Sequence, residues 1–417
     1  MSTAPPRAVE PRRKFYGWRI VGFATITAAL TGPGQTVGVS VFIDHIIEDL
    51  ALTRSQVSTA YLIGTMLGAL TLPQVGRWID RVGVRPAITA IGIGFGIALI
   101  AMSGVGSFIT LAAGFTFIRL LGQGSLTLAS TVAVSHWFEK RRGLAIGLFA
   151  TFTGALMGLT PVLLNFAIES TTWRTAWILA GITILLVVVP IGRFGIVSYP
   201  ADLGDAADGH SGSTEAQTTA PPRRQSRTRA EALRTVGFWV LLAASASAGM
   251  LTTALNFHQI SLLGEAGLTA SAAALMFLPQ VLGSSLAGLA FGALTDRVSA
   301  RWLIPVTMVF LTSALLLAAV VSPGWIVVTF ALSLGLAGGS VRSVTAALLP
   351  KWFGVGHLGS IQGFMSFGNV AASALGPVTF SLGRDWFGGY GSTSVIYAAI
   401  PATVAIAGLL VIRNGEG

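Results

Sequence analysis

Twelve apolar runs, each long enough to cross a bilayer, leave this 417-residue chain very few folds to choose from. A hydrocarbon core about 30 Å thick takes about 20 apolar residues per helix. The runs predict twelve spans, numbered in chain order, over 18–43, 56–79, 85–104, 108–135, 143–168, 174–195, 236–262, 270–295, 302–321, 324–350, 358–383 and 390–412. Composition agrees: 53% of the residues are hydrophobic and 10% charged, where a soluble domain carries roughly 25% charged residues. Mean hydropathy is +0.75. A soluble globular enzyme and a disordered chain are both excluded.

The breaks between runs are well marked. Arg81–Arg85 separates spans 2 and 3, Glu139–Arg142 separates 4 and 5, and Asp296–Arg301 separates 8 and 9. From about Ser198 to Arg234 the chain turns polar and rich in Ser, Thr, Ala, Pro and Arg. Such a segment cannot bury a core and is expected to be a flexible linker. The expected organisation is a tail over 1–17, a six-helix bundle over 18–197, a linker over 198–235, a second six-helix bundle over 236–412 and a tail over 413–417. No small-residue cleavage site follows a short apolar region, so an uncleaved first span is expected rather than a signal peptide.

The net charge of +10 finds its meaning in where the 26 Lys and Arg residues fall. Twenty-one lie on the side of the termini and the linker. Three (Arg54, Arg174 and Arg384) lie on the opposite side, and Arg119 and Arg342 lie inside spans. The positive-inside rule then puts both termini and the linker in the cytoplasm of a multi-pass protein of the cell membrane. Charges this sparse make no continuous basic face, so nucleic acid is not an expected partner. The chain has no cysteine, which excludes disulfides, thiolate metal sites and a cysteine nucleophile. Five scattered histidines make no metal site, and neither metal nor cofactor is expected.

The two halves repeat each other. Gly76-Arg-Trp-Ile-Asp80-Arg81-Val-Gly83-Val-Arg85 after span 2 matches Gly292-Ala-Leu-Thr-Asp296-Arg297-Val-Ser-Ala-Arg301 after span 8, at an offset of 216 residues. Leu52-Thr53 and Leu268-Thr269 keep that offset, as do Gly143 with Gly359 and Gly147 with Gly363. His136-Trp137-Phe138 matches Lys351-Trp352-Phe353 at 215. Two similar six-helix halves are the architecture of alternating-access transporters, with the site near the midplane between them.

On these motifs the chain resembles the major facilitator superfamily over nearly its whole length. The Gly-x-x-x-Asp-Arg-x-Gly-x-Arg signature in Gly76–Arg85 is its strongest mark, and the second copy departs from it in carrying Ser299. The resemblance implies an all-α membrane protein of twelve transmembrane helices in two pseudo-symmetric six-helix bundles. It also implies that these loops form a cytoplasmic gate: Gly76, Asp80, Arg81, Gly83 and Arg85 with Gly292, Asp296, Arg297 and Arg301. Asp80 and Asp296 would then meet helix N-termini of the opposite half, near Gly359 and Gly143. Loop arginines that merely anchor topology are the plainer reading. Phe15-Tyr-Gly-Trp18 and Trp137-Phe-Glu-Lys-Arg-Arg-Gly-Leu-Ala-Ile-Gly147 look like the monocarboxylate and oxalate/formate transporter branch, which moves small organic anions.

Polar groups inside spans mark pathways. Arg119, about eleven residues into span 4, suits a substrate carboxylate. Its plainer role is a hydrogen bond to backbone carbonyls of span 1. Arg119-Leu-Leu-Gly-Gln-Gly124 also looks like a degenerate form of a span-4 motif of drug–proton antiporters. Arg342, in the cytoplasmic third of span 10, either snorkels or lines a cavity. His258, in Asn256-Phe-His-Gln259, either carries a proton or is an interfacial group. Asp44, His45, Glu48 and Asp49 read as a solvated outer loop, with a proton-attracting entrance as the sharper alternative. Gly32-Pro33-Gly34-Gln35-Thr36 interrupts span 1 and makes Gln35 a contact; Leu278-Pro279-Gln280 repeats that logic in span 8. Tyr61, Asn256 and Asn369 complete the candidate set, each with helix–helix hydrogen bonding as its plainer role. The organic-anion branch commonly has cationic residues in spans 8 and 11. Here Gln280 and Asn369 stand instead, which argues against a dianion such as oxalate.

The expected function is secondary active transport of a small monocarboxylate-like acid by alternating access, coupled to a proton. Its partners are a small-molecule substrate, that proton and the lipid bilayer, and the chain is expected to be monomeric and not an enzyme. The alternative is a proton-driven exporter of hydrophobic or drug-like compounds. A membrane-embedded sensor is disfavoured by the short linker. No Walker, His-Glu-x-x-His or Gly-x-Ser-x-Gly motif is present to support an enzyme.

Overall fold

The computed structural model describes residues 15–138, 141–204, 227–295, 297–354 and 358–412. Asp296, expected in the gate, lies outside the described residues, as do most of the N-terminal tail, the middle of the predicted linker and the C-terminal tail. Every regular element described is a helix.

Span 1 is a chain of short pieces: helix Gly17–Ala29, a 3-10 turn Gly32–Gly34 containing Pro33, helix Thr36–Val39, a 3-10 turn Ser40–Phe42 and helix Ile43–Leu50. Span 2 is Arg54–Val82 and span 3 Val84–Met102. Span 4 is helical over Phe108–Ile118 and Thr127–Trp137, with a π-helical segment Arg119–Leu126 between. Span 5, expected to be continuous, is two helices, Arg142–Met157 and Thr160–Ser170. Pro161 sits in the first turn of the second, where its missing N–H does no harm but blocks continuation from the first. Span 6 is Trp173–Pro190 with a π turn Ile191–Gly195, and span 7 is Val236–Glu265. Span 8 breaks at Met276, between Ala270–Leu275 and Phe277–Leu294, just ahead of Pro279. Spans 9 to 12 are Ala300–Ala319, Trp325–Phe353, Leu358–Phe387 and Tyr390–Val411.

Local chemistry sets the helix starts. Thr53 caps span 2 by accepting from the Gln56 backbone N–H, and Thr269 caps span 8 from Ala272 in the same way, at the repeat offset. Among the described residues, nine helices are long and apolar enough to cross a membrane by length and composition. The three remaining spans are 1, which is broken, and 2 and 11, which carry polar residues such as Thr65, Gln74, Gln362 and Asn369 along their length.

The packing repeats as the sequence does. Span 1 lies on 5 as 7 lies on 11, 2 on 4 as 8 on 10, and 3 on 6 as 9 on 12. Hydrophobic burial drives nothing between helices in lipid, so close approach of backbones carries the packing. Gly181 of span 6 shows this: an added Cβ would stand 2.6 Å from the Gly96 carbonyl oxygen of span 3. Between the halves, span 2 runs beside 11, 5 beside 8, and 1 beside 7.

The halves touch near the middle and beyond it, on the far face that carries Arg54, Arg174 and Arg384. They part toward the basic face. At Gly158 of span 5 an added Cβ would meet Val281 of span 8 at 2.6 Å. One turn and three turns nearer the basic face, Gly154 and Gly147 have nothing within 4 Å of that position, and neither does Gly288 of span 8. Gly338 and Gly363, on spans 10 and 11, are equally open.

Candidate functional site

Irregular backbone gathers at one depth. The break in span 1 presents Gly34 to the end of the first helix of span 4, where an added Cβ would lie 2.7 Å from the Ile118 carbonyl oxygen. Gly32 seats against Thr160, at the break in span 5. The π segment begins at Arg119, and its side chains bond five residues back: the Ser125 hydroxyl donates to Leu120 O at 2.7 Å and that of Thr127 to Gly122 O at 3.3 Å. Single π turns inside helices are a frequent mark of functional sites.

Arg119 is buried, with 4% of its surface exposed. Its Nε donates to the Thr65 hydroxyl at 3.1 Å and one terminal nitrogen to the Gly34 carbonyl at 3.3 Å. Its guanidinium lies 4.7 Å from the centre of the Tyr61 ring. Among the described residues no carboxylate pairs with it; the ion pairs are Arg54–Asp44, Arg174–Asp49, Arg384–Glu265 and Arg384–Asp385, all near the far face. The carbonyl contact foreseen for Arg119 therefore exists. It leaves most of the five N–H groups of the guanidinium without a hydrogen bond among the described residues, and its charge faces the Tyr61 ring but no carboxylate there.

Tyr61 closes the site on its far side. Its hydroxyl shares a 2.6 Å hydrogen bond with Thr36, just past the span 1 break. Its ring packs on Phe115 at 5.7 Å and, across to the other half, on Phe257 at 4.6 Å. Gln35 donates to Thr31 at 3.0 Å and is half-buried. From the other half, Gln280 Nε2 donates to Asn256 Oδ1 at 2.6 Å, while Gln280 Oε1 is buried without a partner among the described residues. Val281, the next residue, is the one facing Gly158.

Three candidates fall elsewhere. His258 is fully buried inside the second half. Its Nε2 meets the Pro377 carbonyl at 3.0 Å and its Nδ1 the Tyr390 hydroxyl at 3.2 Å. A carbonyl only accepts, so Nε2 carries a proton, and in the neutral ring Nδ1 then accepts from Tyr390. Asn369 Nδ2 donates to Ser245 O at 2.7 Å and to Ser245 Oγ at 3.2 Å, tying span 11 to span 7. Arg342 is exposed in the opening toward the basic face, where it donates to Ser284 Oγ at 2.6 Å.

At the basic face, Arg85 forks its Nε and a terminal nitrogen onto the Arg193 carbonyl at 2.9 and 2.6 Å, joining spans 3 and 6. Gly83 has φ +85 and ψ 160, a conformation that glycine alone adopts easily, and an added Cβ would be 3.0 Å from Ser198 Oγ. Its counterpart Ser299 has φ −70 and ψ 148, so the second copy has no need of glycine there. Gly76 and Gly292 face Leu128 and Ser343 at 3.9 and 3.4 Å, equivalent neighbours on spans 4 and 10. Asp80, Arg81 and Arg297 are exposed, and Asp80 makes no ion pair among the described residues. The Nε of Arg301 is buried without a partner there.

The far face holds what the sequence did not disclose. Asp44, expected in a solvated loop, accepts from Arg54 at 2.5 Å and from Ser261 of the other half at 2.7 Å. Arg54 also donates to Ser261 at 2.7 Å. Ser55 donates to Asp385 at 3.0 Å, and Ser271 to Glu169 at 2.5 Å. All three far-face arginines thus have an acid partner. Their isolation on a face otherwise poor in basic residues was the available signal.

The sequence profile of the Major Facilitator Superfamily matches residues 24–288. The probable sulfoacetate transporter SauU of Cupriavidus necator is 26% identical over 152 residues, covering 35% of this chain and 34% of that protein. Monocarboxylate transporter 11 of Mus musculus is 25% identical over 404 residues, covering 91% of this chain and 84% of that protein. The chain therefore spans about a third of the first relative's length and most of the second's. Among solved structures, a bacterial homolog to the human lysosomal transporter Spinster, in an inward-facing and unoccupied conformation, superposes with a TM-score of 0.72 at 17% identity, over 96% of this chain and 97% of that one. That likeness concerns the fold.

Proposed function

The chain belongs to the Major Facilitator Superfamily, and from that premise we propose that it carries a small organic acid with a single carboxylate across the cell membrane by alternating access, with its basic face in the cytoplasm. The observation behind this reading is the unmatched charge of Arg119, buried where the breaks of spans 1, 4 and 5 meet. A buried cation without a carboxylate is costly. An anionic ligand supplies the missing charge, and the planar fork suits a carboxylate. The names of the relatives, a monocarboxylate and a sulfoacetate transporter, point the same way.

On this reading Tyr61, Gln35, Asn256 and Gln280 surround the ligand. Arg342 meets it on the way from the cytoplasm. The loops Gly76–Arg85 and Gly292–Arg301 form the gate that closes when the carrier faces out, pairing Asp80 with the opposite half. His258 and Asn369 hold the second half together. No carboxylate lies in the middle of a span to take a coupling proton, so proton symport rests on the ligand entering with its own proton or on groups at the faces.

The test is thermal stabilisation of purified protein by short monocarboxylates at two pH values, for the wild type and Arg119→Gln. A ligand at 100 times its Kd stabilises by about 2.7 kcal/mol. The variant should remain folded and lose that response. Stabilisation by apolar compounds in place of acids, indifferent to Arg119, would shift the reading to a proton-driven exporter.

A further inference from the structure

Two of the far-face contacts are copies of one another. Ser55, in the first turn of span 2, donates to Asp385 at the end of span 11 at 3.0 Å. Ser271, in the first turn of span 8, donates to Glu169 at the end of span 5 at 2.5 Å. Ser55 and Ser271 are 216 residues apart, and so are Glu169 and Asp385. That is the offset of the internal repeat. Each half contributes one serine and one carboxylate, and each serine reaches the carboxylate of the other half. The Arg54–Asp44–Ser261 cluster beside them has no such counterpart, because Ala270 stands at the position equivalent to Arg54.

We propose that Ser55–Asp385 and Ser271–Glu169 form a two-fold-related latch that holds the far face shut and sets the resting orientation of the empty carrier. Both bonds are charge-assisted, and so stronger than neutral ones, yet both sit at a face wet enough to let them break. Each joins the N-terminal end of one helix to the C-terminal end of another, at the rim where a rocking motion separates the halves most. Glu169 is steadied by Asn165, whose Nδ2 donates to it at 3.0 Å and to Ser271 at 3.1 Å. Asp385 has Arg384 beside it at 3.7 Å, itself held by Glu265 of span 7. Neither carboxylate has another cationic partner among the described residues. When the far face opens, water replaces the serines, and both bonds are lost together because the halves move as bodies.

The proposal rests on alternating access and is independent of which ligand Arg119 takes. It is tested on the empty carrier. The chain has no native cysteine, so spin labels go cleanly on Gly106→Cys and Ser322→Cys, two-fold-related positions in far-face loops. Pulsed electron resonance then reads the distance across the far face. The labelled parent should show one short distance. Ser55→Ala and Ser271→Ala should each raise the long-distance, open population several-fold, Ser271→Ala the more because it also loses the bond from Asn165, and the double variant by roughly the product. Within one pair, Ser55→Ala with Asp385→Asn should open no further than the more open of the two single variants, since one bond is lost either way. Arg54→Gln serves as an asymmetric comparison, and thermal melting checks folding of each protein. A far-face distance that stays short in the double serine variant overturns the proposal. Additive effects within a serine–carboxylate pair overturn it as well.

Discussion

At the scale of single residues, buried polarity separates into groups that are satisfied and groups that are not. His258 belongs to the first kind, with both ring nitrogens engaged by Pro377 and Tyr390. Removing it strands a buried carbonyl and a buried hydroxyl, at about 1–3 kcal/mol for each group left unpaired. His258→Ala should therefore melt well below the wild type. The pH profile of whatever transport remains should be unchanged, measured as uptake into proteoliposomes from pH 5 to 8. A flattened profile would return His258 to the role of proton carrier. Arg119 is the opposite case: among the described residues its guanidinium bonds Thr65 and Gly34 and faces the Tyr61 ring, and none of these carries a negative charge. The contrast was only half visible in the sequence. An arginine amid apolar residues announces itself. A histidine near the end of a span does not say whether it faces a cavity or a neighbouring helix.

At the scale of elements, glycine decides how closely helices approach. On span 10, an added Cβ at Gly335 or Gly339 would collide with the backbone of span 8 at Gln280 or Ser284, while at Gly338 it would meet nothing. Gly335→Ala and Gly339→Ala should each cost about 1–3 kcal/mol through overpacking. Gly338→Ala, on the same helix, should be neutral or gain up to about 1 kcal/mol from helix propensity. Melting temperatures of the three variants in one detergent decide the matter. The spans themselves were legible because the bilayer fixes their length and penalises charge. The breaks in spans 1 and 8 were legible through Pro33 and Pro279. Pro161 carried the same signal for span 5, in a run apolar enough to read as one helix. The π segment at Arg119 left no compositional trace, since one extra residue per turn changes register and not hydrophobicity.

At the scale of the whole molecule, the two halves meet on one face and part on the other. Contacts such as Arg54 with Ser261, 207 residues apart, depend on the assembled bundle and have no local sequence signature. The repeat offset would have paired Ser55 with Ser271 and Glu169 with Asp385 as equivalents; only the three-dimensional packing shows that the bonds cross between the pairs. Alternating access requires the parted face to close in turn. With cysteines at Gly154 and Gly288, a bifunctional thiol reagent should arrest the transport that the double variant retains by pinning spans 5 and 8 at one separation, and cleavage of the reagent should restore the rate of the uncrosslinked variant. Unimpaired flux after complete crosslinking would rule out the rocking of one half against the other.

At Gly154, Gly147, Gly288 and Gly363 an added Cβ would meet nothing within 4 Å in this conformation. On the alternating-access cycle proposed above these positions would become mating surfaces of the closed basic face, where a side chain would hold the helices apart. The sequence then encodes two shapes at once, and part of it is idle in each. Substitutions at such positions would pass unnoticed in the melting of this conformation and surface as slowed turnover, a defect of timing in a protein that is otherwise sound.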